Sequence, residues 1–179
     1  MSFQFTDQEV FDWINVSIEK YKSLRKSNFD KLYINYKKNP DPLHLILKMV
    51  SLDLSHENIV KENAIIQTDK SYLNFHGKQW ENLILLNPDW DEAPGTLDVA
   101  RTDKSVVVEL KNKHNTVKGS DQIKNYQGIK QCMDNEGYEI GLFVFMIPKN
   151  NIKIDEPFAP SNNQGPRPEP SDNIRKLDG

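Results

Sequence analysis

Apolar and polar positions change their period along this chain, and the change divides it. From Thr6 to about Arg25 the apolar residues Val10, Phe11, Ile14 and Ile18 recur at helical spacing. Thr6 is a good N-cap, with Asp7 and Glu9 suited to the first turn. The stripe on this helix reads as core or dimer contact. A second short helix is expected over 29–36, ended by Asn39-Pro40. Pro42 suits the first turn of another, on which Leu43, Leu45, Ile46, Met49, Val50 and Leu54 form an apolar face. One or two further helices are expected over 55–86, turning Trp80, Leu83, Ile84 and Leu86 to the core. Asn87-Pro88-Asp89 stops them, and 89–95 reads as a loop.

Beyond residue 95 the period falls to two. Residues 96–100 and 105–111 read as strands rich in β-branched side chains, joined by a polar turn at 101–104. Alternation puts Val106, Val108 and Leu110 on one face, and Val107, Glu109 and Lys111 on the other. A helix capped by Ser120 or Asp121 should run to about Asn135, with Ile123, Tyr126, Ile129 and Met133 as its apolar set. Gly137 opens the stretch 140–147, apolar on both faces and so a central strand. From 155 the chain turns to Pro, Asn, Ser and Gly and reads as a loop or disordered segment. The expected class is α/β (α+β), a mixed sheet flanked by helices. The organisation is one domain over 1–154, mainly helical over 1–90 with its core at 94–147, and a tail over 155–179. The ending K-L-D-G reads as that of a trimmed or incomplete chain.

Composition narrows the function. At 179 residues the chain can bury a core. Its net charge of −3 provides no global basic field. Locally, residues 101–130 carry seven basic side chains against three acidic ones, enough to contact phosphates. Residues 20–38 are also basic, with Asp30 their one acid. The single Cys132 excludes an internal disulfide and a Cys-based zinc site. With no secretory leader and no apolar run long enough for a bilayer, a soluble cytoplasmic protein without membrane attachment is expected.

The chemistry concentrates in P-G-T-L-D-V-A-R-T-D-K-S-V-V-V-E-L-K-N-K-H-N-T, residues 94–116. Asp98 interrupts an apolar run, an unusual position for a carboxylate without a partner. If the two strands pair, Asp98, Glu109 and Lys111 converge. Two close carboxylates repel and raise a pKa unless a cation lies between them. Mg²⁺ binds one or two carboxylates together with water and phosphate oxygens. Lys111 beside such an ion suits orientation of an attacking water, an arrangement for phosphodiester hydrolysis. Asn112, Lys113, His114, Asn115, Thr116 and Lys118 carry donors suited to phosphates or base edges.

The spacing Asp98-x10-Glu109-x-Lys111 resembles the PD-(D/E)XK nuclease superfamily, although Leu97 stands where a proline would precede the first acid. The string V-E-L-K-N-K-H-N-T, its continuation V-K-G-S and the later A-P-S-N-N resemble small type II restriction endonucleases that cut G-G-N-C-C sites. The resemblance implies a restriction-endonuclease-like core and a bacterial, cytoplasmic enzyme. It also implies Mg²⁺ (or Mn²⁺) held by Asp98, Glu109 and the Leu110 carbonyl, and products with 5′-phosphate and 3′-hydroxyl ends. The expected partners are double-stranded DNA, a second copy in a homodimer and a methyltransferase of matching specificity. Many members place an extra acid on the helix before the hairpin, for which Glu81 is the candidate without a clear positional match, and some place Gln-x-x-x-Tyr, as in Gln122 and Tyr126, in support of the site. Two alternatives remain open: a repair or junction nuclease that reads DNA shape, and a non-catalytic nucleic-acid-binding domain.

Overall fold

The computed structural model describes residues 6–31, 41–113, 117–147, 153–160 and 165–178. The chain divides into two compact units, Met1–His76 and Gly77–Gly179.

The first unit is helical. Helix α1 (Asp7–Asp30) opens with a capping box. The Thr6 hydroxyl accepts the Glu9 N–H at 3.3 Å, and the Glu9 carboxylate accepts the Thr6 N–H at 2.8 Å. The helix runs past Arg25 and takes in Phe29 and Asp30, where a separate helix was expected. The rest of that expected helix, 32–36, lies outside the described residues. Helix α2 (Pro42–Leu52) follows. Its expected core face is largely in solvent, with Leu43, Ile46 and Val50 exposed. Helix α3 (His56–Ile84) is a single element, one of the two outcomes expected over 55–86. Within the first unit it buries Ile59, Val60 and Ala64. Tyr72 meets the edge of Tyr21 at 4.9 Å between ring centroids. Asn28 donates to the Thr68 hydroxyl at 3.2 Å.

The second unit is built on a mixed sheet of six strands among the described residues, in the order β1-β2-β3-β4-β6-β5. Strands β1 (Trp90–Glu92), β2 (Val99–Arg101) and β3 (Val106–Lys113) are antiparallel neighbours. Helix α4 (Gly119–Glu136) carries the chain over to β4 (Ile140–Ile147), which pairs parallel with β3. Strand β6 (Ile174–Asp178) continues the parallel set beyond β4, and β5 (Asp155–Pro157) closes the edge antiparallel to it. The protein is therefore α+β.

Three expectations change here. The predicted loop 89–95 contains β1, with Trp90 buried against Val99 and Val108. The described residues of 155–178 form no loose tail: they supply β5 and β6, and Phe158 stacks on Phe143 at 4.6 Å between centroids. Leu86 is exposed, not in the core.

Alternation along β3 fills both faces, and Val106 through Leu110 are all buried. One face carries Val106, Val108 and Leu110, packed with Ile84 and Trp90. The other carries Val107 together with Phe143 and Phe145, under Tyr126 and Ile129 of α4. Gly141 is what lets α4 approach. A Cβ there would collide with Ile129 and come within 2.7 Å of the Met133 sulfur. Gly137 ends α4 with φ of 80°, the left-handed conformation that favours glycine. Lys118, not Ser120 or Asp121, is the N-cap residue, and its side chain makes no capping bond.

Candidate active site

The β2–β3 ladder stops at Val99, and the next residue outward is Asp98. Its backbone N–H donates to the Val108 carbonyl at 3.1 Å. Its carboxylate then takes over from the backbone: Oδ2 accepts the Leu110 N–H at 2.5 Å. Glu109 and Lys111 flank Leu110 in sequence, and alternation turns both to the opposite face from Leu110. The Lys111 ammonium is bonded to Glu109 Oε1. Glu109 is buried at 6% exposure, and the Lys111 side chain keeps 27%. The structure thus brings Asp98, Glu109 and Lys111 together around one peptide of β3. Among the described residues, Asp98 Oδ1 and Glu109 Oε2 carry no hydrogen bond.

The electrostatics match this crowding. Burial, and after it the Glu109 charge, hold the Asp98 carboxyl above the usual carboxylate range, against the Leu110 N–H and the Lys111 and Lys78 charges. Glu81, on the last turns of α3, is also pushed up, by burial first and then by Asp98 and Glu92. It is ion-paired with Lys78. That bond to Glu81 raises Lys78, with the charges of Glu92 and Asp98 adding to it. The field around Asp98 therefore includes Glu81 and Lys78 besides Glu109 and Lys111, and Glu92 acts in turn on Glu81 and Lys78. Lys78 and Glu92 were not singled out from the sequence. The Lys78-x-x-Glu81 spacing, one helical turn, was the available signal.

The remaining sequence candidates are scattered. Asn112 lies at the end of β3, where its side-chain oxygen accepts the Trp80 indole N–H at 3.2 Å. Lys113 is paired with Ile147 in the ladder and is half-buried. His114, Asn115 and Thr116 lie outside the described residues. Lys118 is exposed at the start of α4. Gln122 lines a cleft with Arg167 and Lys176. Tyr126 instead enters the core, edge-on to Phe158 with 5.9 Å between centroids.

Among the described residues no group of three or more His, Cys, Asp and Glu side chains is arranged around a common point for a metal ion. The acids at hand are the Asp98–Glu109 pair. No described helix is long and apolar enough to cross a membrane.

Comparison with known proteins follows the same line. The family described as "Eco47II restriction endonuclease" has a model that matches residues 2–179. The type II restriction enzyme Eco47II of Escherichia coli is 24% identical in an alignment covering 97% of this chain and 74% of that enzyme. The type II restriction enzyme Sau96I of Staphylococcus aureus is 29% identical over 69% of this chain and 48% of that enzyme. No solved structure matches the chain significantly.

Proposed function

Because the chain belongs to the Eco47II restriction endonuclease family, we propose that it is a sequence-specific endonuclease of double-stranded DNA, with Asp98, Glu109 and Lys111 as its catalytic set. One observation carries the assignment. The Asp98 carboxylate is bonded to the peptide N–H between Glu109 and Lys111, so two acids and one ammonium surround a single residue of β3. An α+β core with a mixed sheet agrees with a PD-(D/E)XK arrangement of these three groups.

The donor set fits Mg²⁺, and Mn²⁺ by the same chemistry. Mg²⁺ takes one or two carboxylates and completes its shell with water and phosphate oxygens. The Asp98–Glu109 pair supplies two, each with an oxygen that bonds nothing among the described residues. Leu110 is a third donor, since the N–H and C=O of one strand residue point to the same edge, and its N–H points to Asp98. When bound, the ion would polarise the scissile phosphate and acidify a water. Asp98 and Glu109 would hold the ion. Lys111 orients the attacking water and stabilises the negative charge that develops on the oxygens of the pentavalent phosphorane. Burial of Glu109 keeps competing solvent from the acid pair. In-line attack leaves 5′-phosphate and 3′-hydroxyl ends.

The sequence string points to G-G-N-C-C as the target. Cutting both strands of such a site requires two active sites, hence a two-fold homodimer. Exposed apolar residues on α1 and α2, Phe11 and Val50 among them, are consistent with association. A methyltransferase of the same specificity would protect host DNA.

The test is a digest of unmethylated plasmid with Mg²⁺ by the full chain and by Asp98→Asn and Glu109→Gln. Discrete fragments from the parent and none from the variants are expected. Cuts that follow DNA structure instead of sequence would favour a junction nuclease, and equal cutting by all three proteins would dismiss this site.

A further inference from the structure

A polar cleft of about 220 Å³ opens beside α4, lined by Gln122, Glu156, Phe158, Arg167 and Lys176 among others. Strand pairing fixes its place. Glu109 pairs with Phe143, and Phe143 pairs with Lys176, so the three form one row across β3, β4 and β6. Residues paired side by side point to the same face, so Lys176 stands on the Glu109 face. With strands spaced by about 4.8 Å, its Cα is roughly 10 Å from that of Glu109.

The cleft is built to present donors. The Lys176 ammonium lies 5.8 Å from the Phe145 ring centroid and meets Glu156 only at 3.5 Å. The Glu156 side chain is 56% exposed, so this pair is weak and exchangeable. Arg167 donates its Nε to the Ala159 carbonyl at 2.6 Å, which orients the guanidinium. Its terminal nitrogens carry no bond among the described residues. Gln122 adds an amide from the first turn of α4. Two cations and an amide against one exposed acid suit a phosphate oxygen cluster.

We propose that this cleft is a phosphate subsite in which Arg167, Lys176 and Gln122 hold a DNA backbone phosphate flanking the scissile one. The proposal rests on the nuclease reading, which is what brings a DNA backbone to Asp98 and Glu109. Successive phosphates of one strand rise 3.4 Å along the axis while winding around it, so a span of roughly 10 Å corresponds to about one or two nucleotides. These three are positioning residues: they set affinity and register and touch no reacting atom.

The experiment measures binding of the full chain to a fluorescent duplex carrying a G-G-N-C-C site, by anisotropy without divalent ions, from 50 to 200 mM salt. Lys176→Gln and Arg167→Gln should each weaken binding about tenfold, the value of one charge-assisted hydrogen bond. Each should also flatten the slope of log K against log salt by about 0.9, the signature of one lost phosphate contact. Lys176→Arg should retain both affinity and slope. Thermal melts identify any variant that has lost its fold, and the Arg variant then decides. Unchanged affinity and slope in both Gln variants overturns the proposal. So does loss of binding by a Lys176→Arg protein that melts like the parent. The nuclease reading fails separately, through a parent that cuts no DNA or a Glu109→Gln variant that still does.

Discussion

The Asp98 carboxylate accepts the Leu110 backbone N–H at 2.5 Å, in the position where the β2–β3 ladder runs out of backbone partners. A side chain thus continues a strand pairing, and the consequence is chemical. It holds one acid beside a second, Glu109, and near the ammonium of Lys111. An amide oxygen can accept the same N–H. Asp98→Asn should therefore leave the melting temperature within a few degrees of the parent while plasmid cleavage falls by about 10² or more. A cleavage rate within threefold of the parent would remove Asp98 from the mechanism.

Lys111→Ala tests a different balance. It strips the partner from Glu109, which is 6% exposed. An uncompensated buried carboxylate costs about 3 kcal/mol or more. Chemical denaturation should show that loss, and Glu109→Gln/Lys111→Ala together should recover part of it, because the stranded charge is gone. A double variant as unstable as Lys111→Ala alone would show that the pair contributes nothing through its charge.

The raised carboxyls predict a pH dependence. Asp98 and Glu81 keep their protons to higher pH in the folded chain than in the unfolded one, chiefly through burial. The folded state then binds more protons, so stability is full below the ordinary carboxylate pKa and declines as pH rises through the elevated values. A divalent ion offsets that decline. Addition of Mg²⁺ should raise the melting temperature at pH 7 and lose its effect toward pH 4, and Asp98→Asn should abolish most of the rise. An Mg²⁺ effect that is constant with pH would count against carboxylate ligation.

Packing around the second unit gives two stability predictions. Gly141→Ala drives a methyl into Ile129 and Met133. Overpacking of this kind costs about 1–3 kcal/mol, and the shift of α4 should also weaken DNA binding through Gln122. Phe158→Ala removes a ring that is 2% exposed and stacked on Phe143. It should cost about 3–5 kcal/mol by denaturant titration. A loss below 1 kcal/mol would return segment 155–178 to the status of a dispensable tail.

Much of this protein was legible before its fold was known. The two-residue alternation of 105–111 correctly separated Val106, Val108 and Leu110 from Val107, Glu109 and Lys111. The apolar run 140–147 is a strand with those bounds and has a parallel neighbour on each side. These features come from local periodicity, which a short stretch of sequence contains in full. The tertiary structure decided what depends on distant partners. Ile174–Asp178 sits among Pro, Asn and Ser and has weak strand signals of its own, but β4 presents an open row of peptide groups that only a neighbouring strand can satisfy. Glu81 looked like any acid on a helix, and its position beside Asp98 depends on where α3 ends relative to the sheet. The chain alone determined which residues stand as candidates for the chemistry. Long-range backbone pairing, which no local pattern encodes, decided which of them stand together and which cleft lies beside them.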